Sequence, residues 1–381
     1  MTIKYLDEKE LENKIAILVG TRPGIIKMGP LIKELNKKNE KYFVIHAGQH
    51  YSYEMDKIFF KQLKLPEPNY TLNSVKFCKL HGEQTAEMLV GIEKLLIQEK
   101  PKIILVCGDA NFNLAGALAA RKLHINIGHV ESGLRSNDWR MPEEHNRVII
   151  DHISDYLFTP TEENKLNLIK DNVKGKIFVV GNTIVDAVHQ NIEIAKNKSN
   201  ILERCNLKSK EYFILTVHRE ENVDDKNTLR NILDGIKMVL KEYPDNIIAF
   251  PAHPRTIERL KLFNFFTELA INNLIIMNPI GYLDFLKLLY DTRLVMTDSG
   301  GIQEEACILK RPCVTLRENT ERPETIKVGS NMLVGTNPKN ILDGVGIMLN
   351  RKPNWTNPFG DGKTAKKIIN VILNEVFKKY N

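Results

Sequence analysis

The sequence predicts an α/β fold with two parallel sheets in two domains, and three observations support this prediction. The chain has 381 residues, more than a single hydrophobic core usually organises. Short runs rich in β-branched and aromatic residues alternate with longer segments of helical period. These runs form two series of about six, separated by the polar stretch Ala195–Lys210.

The predicted strands follow one another at regular spacing in each series. The first series comprises Lys14–Val19, Tyr42–His46, Ile103–Cys107, Ile125–His129, Tyr156–Thr159 and Ile177–Val180. The second comprises Tyr212–Val217, Ile247–Phe250, Leu274–Met277, Leu294–Thr297, Cys313–Leu316 and Met332–Val334. We therefore expect an amino-terminal domain at residues 1–190, a second domain at 191–360 and a carboxyl-terminal helix at 361–381. The pattern does not assign this helix to either domain.

Composition and charge narrow the class of protein. The 54 basic and 47 acidic residues are interspersed, which indicates a solvated mixed surface and leaves an anionic small ligand or nucleic acid open. Five cysteines without a C-x-x-C pair suggest neither a disulfide framework nor a thiolate zinc site. The amino terminus has no apolar signal region, and no apolar run approaches the roughly 18 residues of a membrane span. We expect a soluble protein of the cytoplasm.

The turn after the first predicted strand is a candidate anion site. It reads GTRPGIIK at residues 20–27, a glycine turn that opens a helix whose N-terminus favours negative charge. Arg22 and Lys27 add positive charge there. The segment matches neither the dinucleotide nor the triphosphate fingerprint, and an ordinary β–α turn explains it equally well.

Three carboxylates in the first half are candidates for acid–base chemistry. Asp109 and Glu131 follow predicted strands, and Glu143 lies in a loop soon after. Carboxylates that converge on one cleft suit proton transfer, because burial and mutual repulsion raise a pKa towards neutrality. The alternative is that they are solvated or paired with nearby arginines. A deaminase-like zinc site around His129 is disfavoured, since its second cysteine position is Leu316.

The second half carries a further set of polar strand ends. His218 and Arg219 follow one predicted strand, and His253 follows the next. Ser299-Gly300-Gly301 then opens a helix and exposes backbone amides suited to a diphosphate, with Glu305 on the following turns, where its carboxylate could accept ribose hydroxyls. Arg322 lies downstream. Each segment alone is compatible with a plain turn, but together they indicate a nucleotide site.

The ordered motifs resemble one family, the non-hydrolysing UDP-N-acetylglucosamine 2-epimerases. The resemblance extends from about Ile15 to Gly335 and is carried by GTRPGIIK, GQHYS, VCGDAN, GHVESGLRS, MPEEHNRVIIDHIS, VGNTIVDA, TVHREENV, HPRT, TDSGGIQEEA and ENTERPETI. It implies two Rossmann-like domains in the glycosyltransferase-B arrangement, with the active site in the interdomain cleft. It also implies a UDP-sugar substrate, a homodimer, a role in polysaccharide biosynthesis, and no metal, redox cofactor, nucleic acid or membrane.

The resemblance also assigns roles by position. Members eliminate UDP across C1 and C2 of the sugar, hold a 2-acetamidoglucal intermediate and add UDP back with inverted C2. Asp109, Glu131 and Glu143 would be the acid–base carboxylates, and His218 would assist the leaving diphosphate. The residues that would bind UDP are Arg22, Lys27, Phe285, Ser299, Gly300, Gly301, Glu305 and Arg322.

Departures from the family pattern leave alternatives open. Gly24 replaces a common Glu, Ala110–Phe112 replaces a Thr-rich stretch and Ser132 replaces Ala, the last two beside the expected sugar pocket. The substrate could instead be UDP-2,3-diacetamido-2,3-dideoxyglucuronate, whereas the intact TERPE at 320–324 favours UDP-N-acetylglucosamine. A UDP-sugar glycosyltransferase and a non-catalytic sensor of nucleotide sugars are further alternatives. A regulatory second nucleotide-sugar site would use Gln49, His50, Arg219 and His253, although residues 51–54 differ from the family motif.

Overall fold

A computed structural model describes residues 6–48, 53–78 and 80–378, which form two compact units. The chain divides after His189 and again after Pro358. The second unit is therefore continuous, whereas the first is completed by the carboxyl-terminal segment that begins at Phe359.

The first unit is a parallel sheet covered by helices. Its described strands lie in the order β3-β2-β1-β4-β5-β6-β7. They are β1 Glu12–Val19, β2 Tyr42–His46, β3 Tyr70–Thr71, β4 Pro101–Cys107, β5 Asn126–Val130, β6 Tyr156–Thr159 and β7 Lys176–Val179. The helices are α1 Arg22–Lys38, α2 Tyr53–Gln62, α3 His81–Glu99, α4 Asn111–Lys122, α5 Pro142–Ile153, α6 Glu162–Lys170 and α7 Thr183–Lys198.

The second unit is also a parallel sheet with helices between its strands. Its strands lie in the order β10-β9-β8-β11-β12-β13 and all described pairs are parallel. They are β8 Tyr212–Thr216, β9 Ile247–Pro251, β10 Leu274–Met277, β11 Leu294–Thr297, β12 Cys313–Thr315 and β13 Asn331–Leu333. The remaining helices are α8 Ile201–Arg204, α9 Glu220–Val223, α10 Lys226–Glu242, α11 Pro254–Leu262, α12 Tyr282–Asp291, α13 Gly300–Ile308, α14 Pro323–Lys327, α15 Pro338–Leu349 and α16 Thr364–Val371, of which α16 belongs to the first unit.

The predicted α/β class with two parallel sheets is confirmed. Central strands are covered on both faces, so their sequences are almost continuously apolar, as in β1, where Ile15 through Val19 are fully buried. The two-residue strand β3 was missed, because Tyr70–Thr71 is too short to show a period.

The polar stretch Ala195–Lys210, which separates the two predicted strand series, is partly helical. Helix α7 continues through the division at His189 and ends at Lys198, and α8 follows almost at once. Ala195 and Ile201 are buried, at 0% and 2% exposure. A few well-placed apolar residues thus hold a largely polar segment in helical structure.

The carboxyl-terminal segment packs on the first unit. Ile368, Ile369 and Ile372 are fully buried, and α16 lies against α1. The carboxylate of Asp186 accepts hydrogen bonds from the backbone N–H groups of Thr364 (3.1 Å) and Ala365 (3.0 Å), which caps α16. Within the predicted helix at 361–381, the described α-helix covers only Thr364–Val371 and is followed by a π-helical turn at Ile372–Val376.

Both sheets reverse their strand order at one place. The switch lies between β1 and β4 in the first unit and between β8 and β11 in the second. Loops beyond the carboxyl ends of strands at such a point form the usual ligand crevice of doubly wound sheets.

Candidate active site

The first switch point gathers three predicted residues. Arg22 follows β1, Asp109 follows β4 and Glu131 follows β5. Since adjacent parallel strands end at the same edge of the sheet, these side chains belong to neighbouring loops. Their individual contacts distinguish what each can do.

Glu131 is a buried carboxylate on a strained backbone. Its residue is 6% exposed and its φ is 67°, a left-handed conformation that costs a non-glycine residue about 1–3 kcal/mol. Lys27 Nζ lies 2.5 Å from Glu131 Oε1, and Asn182 Nδ2 donates to the same oxygen at 3.2 Å. Lys27 is 8% exposed, so the ion pair is buried on both sides. Strain and a buried charge pair in one crevice are features of a functional carboxylate.

Asp109 is held differently. Arg147 from α5 donates to Asp109 Oδ2 through Nη2 at 2.5 Å and Nε at 3.1 Å. The Asn146 amide donates to the backbone carbonyl of Asp109 at 2.8 Å. Arg147 is 3% exposed, whereas the Asp109 side chain is 32% exposed. Arg147 therefore holds Oδ2 of the carboxylate, while about a third of the Asp109 side chain remains accessible to solvent.

Glu143 lies in the first turn of α5 and is half-buried. In the described part of the chain no hydrogen bond or ion pair engages its carboxylate, in contrast to its neighbour Glu144. Glu144 accepts from the backbone of Ser136 (3.0 Å) and Asn137 (3.1 Å) and pairs with Arg147. Glu144 thus orders the loop before α5, and Glu143 is the one left available for other chemistry.

Arg22 faces a carboxylate from another helix. Its Nε lies 3.8 Å from Asp56 Oδ1, and its guanidinium is 5.3 Å from the centre of the Phe59 ring. Asp56 is 1% exposed and also faces His46 Nε2 at 3.1 Å. Helix α2 therefore supplies a group that orients Arg22.

A buried network supports the loop of Asp109. The ring of His129 contacts Asp151 Oδ1 through Nδ1 (2.7 Å) and the carbonyl of Gly108 through Nε2 (3.1 Å). Arg135 Nη1 donates to Asp151 Oδ2 at 2.7 Å. Although burial opposes it, the His129 ring and Arg135 lower the pKa of Asp151 below its ordinary value. His129 is thus a structural residue rather than a metal ligand.

In the second unit, His218 is oriented by a buried carboxylate. His218 Nδ1 lies 3.1 Å from Asp298 Oδ1, and the backbone N–H groups of His218 and Arg219 donate to Asp298 Oδ2 at 2.9 Å. Burial disfavours the charged form of Asp298, but the His218 ring and these amides hold its pKa at about 2. With Nδ1 facing the Asp298 carboxylate, Nε2 on the other side of the ring is directed away from Asp298.

Helix α13 begins with an open N-terminus. Ser299 occupies the N-cap position but its side chain makes no capping hydrogen bond. A Cβ at Gly301 would meet no described atom within 4 Å, whereas one at Gly300 would overlap the carboxylate of Glu321. The exposed amides and the helix dipole therefore offer an anion site on the Gly301 side.

Charged side chains surround this helix. Glu321 pairs with Arg317 Nη1 (2.8 Å) and Arg219 Nη2 (3.2 Å). Arg322, 5% exposed, pairs through Nε with Glu304 Oε1 at 2.6 Å. The anion site thus lies beside buried arginines that are already balanced by carboxylates.

Glu305, 6% exposed, lies further along α13 and interacts with Tyr282. Burial and this carboxylate raise the pKa of Tyr282 well above its ordinary value, so the phenol stays protonated. Phe285 on α12 is half-buried against the adjacent apolar cluster.

The residues of the expected regulatory site are only partly described. Gln49 and His50 lie outside the described residues. Arg219 is engaged by Glu321, and the ring of His253 lies 5.7 Å from that of His218. His253 also caps α11, since its Nδ1 accepts from the backbone of Arg255 at 3.3 Å.

The described residues contain neither a cluster suited to a metal ion nor a helix suited to a membrane. Among residues 6–48, 53–78 and 80–378, no group of three or more His, Cys, Asp or Glu side chains is arranged to hold a metal ion. Nor does a helix in these ranges combine the length and apolarity that crossing a bilayer requires.

Fold and site together define a two-domain Rossmann-like protein with carboxylates at one switch point and an open helix N-terminus at the other. The family model described as UDP-N-acetylglucosamine 2-epimerase matches residues 33–373. The chain belongs to this family, whose members are isomerases. The expected family and enzyme class are confirmed.

Individual relatives agree with this assignment. A UDP-N-acetylglucosamine 2-epimerase of Methanocaldococcus jannaschii is 54% identical over 94% of this chain and 98% of its own. A crystal structure of the UDP-GlcNAc 2-epimerase of that organism, in complex with UDP-GlcNAc and UDP, superposes with a TM-score of 0.89 at 53% identity, covering 94% of this chain and 99% of that one. A UDP-2,3-diacetamido-2,3-dideoxy-D-glucuronate 2-epimerase of Pseudomonas aeruginosa is 40% identical over 84% of this chain and 88% of its own.

The sequence did not single out several residues that build these sites. Asn182 and Asp298 contact the proposed catalytic residues, and Glu321 orders the arginines beside α13. Asp298 directly precedes the Ser-Gly-Gly turn, and Asn182 lies in the VGNTIVDA motif. Both residues follow predicted strands, and this position was the feature of the sequence that could have identified them as site residues.

Proposed function

We propose that this protein interconverts UDP-N-acetylglucosamine and UDP-N-acetylmannosamine by eliminating UDP to 2-acetamidoglucal and adding it back with inverted C2. The observation that carries the proposal is the distribution of polar groups between the two switch points. Carboxylates follow β4 and β5, whereas an open helix N-terminus follows β11 beside an oriented imidazole. These groups suit a reaction that moves a proton and releases a diphosphate.

The first unit supplies the proton chemistry in this proposal. The C2 proton is weakly acidic, so its removal needs a carboxylate fixed in position. Asp109, Glu131 and Glu143 share this acid–base role. Arg22 and Lys27 provide positive charge for the UDP-sugar, with Lys27 also neutralising Glu131.

The second unit binds UDP and stabilises its departure. The amides at Gly300 and Gly301 and the Ser299 hydroxyl, which makes no capping hydrogen bond, receive the diphosphate, and His218 faces the leaving group. Glu305 accepts the ribose hydroxyls, Phe285 lies near the uracil and Arg322 adds positive charge. Because UDP leaves as an anion, the helix dipole and the imidazole act on the charge that develops.

A second candidate substrate is UDP-2,3-diacetamido-2,3-dideoxyglucuronate. It is supported by the Pseudomonas aeruginosa relative and by the departures at Ala110–Phe112 and Ser132, which flank the proposed carboxylates. The ratio of kcat/KM for the two substrates distinguishes them. A higher value for the uronate would assign the protein to that reaction.

The decisive experiment uses purified protein with UDP-N-acetylglucosamine in deuterated water, without acceptor or NAD. We expect NMR to show UDP-N-acetylmannosamine, deuterium at C2 and slow release of UDP. The proposal is wrong if neither this substrate nor the diacetamido uronate is changed. Transfer of sugar to an added acceptor would instead indicate a glycosyltransferase.

We also propose that the protein acts as a homodimer in the cytoplasm and supplies sugar for polysaccharide synthesis. Exposed apolar side chains just before α3 support a contact between copies, with Phe77 and Leu80 exposed by 75% and 65%. Light scattering on the native protein and on the Phe77→Asp/Leu80→Asp double variant tests the dimer. A native protein that is monomeric would contradict it.

A further inference from the structure

Asn182 is a buried amide that contacts a proposed catalytic carboxylate. It follows β7 and Gly181, is 2% exposed, and donates through Nδ2 to Glu131 Oε1 at 3.2 Å. The same oxygen contacts Lys27 Nζ at 2.5 Å. Two donors from different elements, α1 and the β7–α7 loop, thus converge on one oxygen of Glu131.

The orientation of the Asn182 amide is fixed by its other end. The backbone N–H of Ile184 donates to Asn182 Oδ1 at 3.1 Å, in the first turn of α7. The backbone N–H of Ile184 can donate only to the oxygen of the Asn182 amide, so the amide nitrogen Nδ2 must face Glu131. The contact with Glu131 is therefore a donated hydrogen bond, which a carboxylate accepts.

The backbone of Asn182 is anchored by the carboxyl-terminal segment. Its N–H donates to the carbonyl of Phe359 at 2.8 Å. Gly181 has a φ of 98°, and a Cβ there would lie 2.7 Å from Thr364 Oγ1 and 2.9 Å from the Phe359 carbonyl. The loop thus fits closely against residues that follow the second chain division, and Asp186 caps α16 just beyond.

Glu131 needs such support because its backbone is strained. A carboxylate on a left-handed residue is not held by regular strand geometry, and proton transfer requires its oxygen to lie within hydrogen-bond distance of the carbon acid. We propose that Asn182 is a positioning residue that orients Glu131 for proton transfer at C2, with the segment from Phe359 to Ala365 as its support. This inference rests on the proposed function.

The Asn182→Asp variant separates this role from a role in packing. Aspartate has the same shape and keeps an acceptor for Ile184 N–H, but it replaces the donor facing Glu131 with a second carboxylate. We expect kcat and C2 deuterium exchange to fall by about 10²-fold or more, with KM within about threefold, because binding is not affected. Asn182→Ala, which removes the donor without adding repulsion, should lose about tenfold.

A matched control is Asn164→Asp. Asn164 is also 2% exposed and lies in the same unit, but its Oδ1 accepts from Thr161 N (3.1 Å) and Oγ1 (2.8 Å). A carboxylate accepts these hydrogen bonds equally well, so this variant should keep native kcat. In the Glu131→Gln background, Asn182→Ala should cause no further loss, since its target is already removed.

These experiments distinguish a failure of the proposed positioning role of Asn182 from a failure of the proposed epimerase function. If native protein neither epimerises nor exchanges C2 with either UDP-sugar, the proposed function fails. If native protein is active and Asn182→Asp keeps native kcat, the positioning role is wrong. Should Asn182→Asp fail to fold, Asn182→Ala decides: native kcat with a native melting temperature overturns the inference, and a tenfold loss that vanishes with Glu131→Gln supports it.

Discussion

At the residue scale, the proposed carboxylates differ in how each is held. Glu131 is buried and paired with Lys27. Asp109 is bound by Arg147 but remains partly exposed to solvent. Glu143 is half-buried and has no described hydrogen-bond or ion-pair partner. The partners of each carboxylate determine which of its oxygens can reach a substrate proton, and proton transfer requires that position. The division of roles among them therefore follows from their neighbours rather than from their residue type.

Asp298 provides the sharpest test at this scale. Its pKa of about 2 means that it is an anion at neutral pH and fixes the orientation of His218. An asparagine side chain at this position could not supply that charge, so we expect Asp298→Asn to lower kcat by about 10²-fold or more, as for other carboxylate-oriented imidazoles. Steady-state kinetics measure kcat, and calorimetry should show little change in UDP affinity.

The His218→Gln background is the control for this variant. There, Asp298→Asn should add little to the loss of kcat, because Asp298 acts through the ring. An Asp298→Asn enzyme with kcat within about threefold of native, alongside an inactive His218→Gln enzyme, would contradict this role.

At the element scale, the N-terminus of α13 can be probed with paired glycine variants. The space beyond Gly301 is open, so Gly301→Ala should keep or slightly raise the melting temperature, as Ala favours a helix by up to about 1 kcal/mol. The added methyl would occupy the space of the diphosphate, and UDP affinity should fall by about tenfold or more. Isothermal calorimetry and thermal unfolding measure the two effects.

Gly300→Ala is the paired variant, in which the melting temperature is expected to change instead of being preserved. Its methyl group would overlap the Glu321 carboxylate, so the melting temperature itself should fall.

Native UDP affinity in Gly301→Ala would show that the diphosphate does not bind at this helix.

Asp224 links α9 to α11 and should make stability depend on acid pH. Hydrogen bonds from Arg255 and Arg259 lower its pKa to about 2. A lowered pKa in the folded state stabilises the protein fully above about pH 4, and this contribution is lost as the pH falls towards 2. Because its side chain is 33% exposed, the contribution should be at most about 1 kcal/mol.

Urea unfolding at about pH 7 and about pH 2.5 tests this dependence, since the contribution is complete at the first pH and largely lost at the second. Asp224→Asn should be less stable than native at the neutral pH and closer to native in acid. Glu220→Gln is the control, since Glu220 pairs only with Arg255 among the described ion pairs and is 74% exposed. An Asp224→Asn difference that does not narrow in acid would contradict the assignment.

At the scale of the whole molecule, the carboxyl-terminal segment completes the first unit. Ending the chain after Pro358 removes three fully buried isoleucines, each stabilising by about 1.5–3 kcal/mol. Their sum is comparable with the about 5–15 kcal/mol that stabilises a typical domain. We expect the first unit of the truncated protein to unfold and epimerase activity to be lost.

The second unit should survive this truncation. Its strands β8 to β13 involve no residue after Pro358, so they should remain protected in hydrogen exchange and UDP should still bind. Native activity of the truncated protein would show that the segment does not support Glu131.

The amino-acid pattern alone predicted the α/β class, the two strand series and the positions of polar residues at strand ends, because buried parallel strands leave continuous apolar runs and ligand loops follow them. Asp109, Glu131 and His218 could be selected on that basis. The groups that support them became visible only in the folded chain. Asn182 contacts Glu131 across 51 positions, and the carboxyl-terminal helix packs on α1. Such contacts depend on how elements pack in space, and no local period records them.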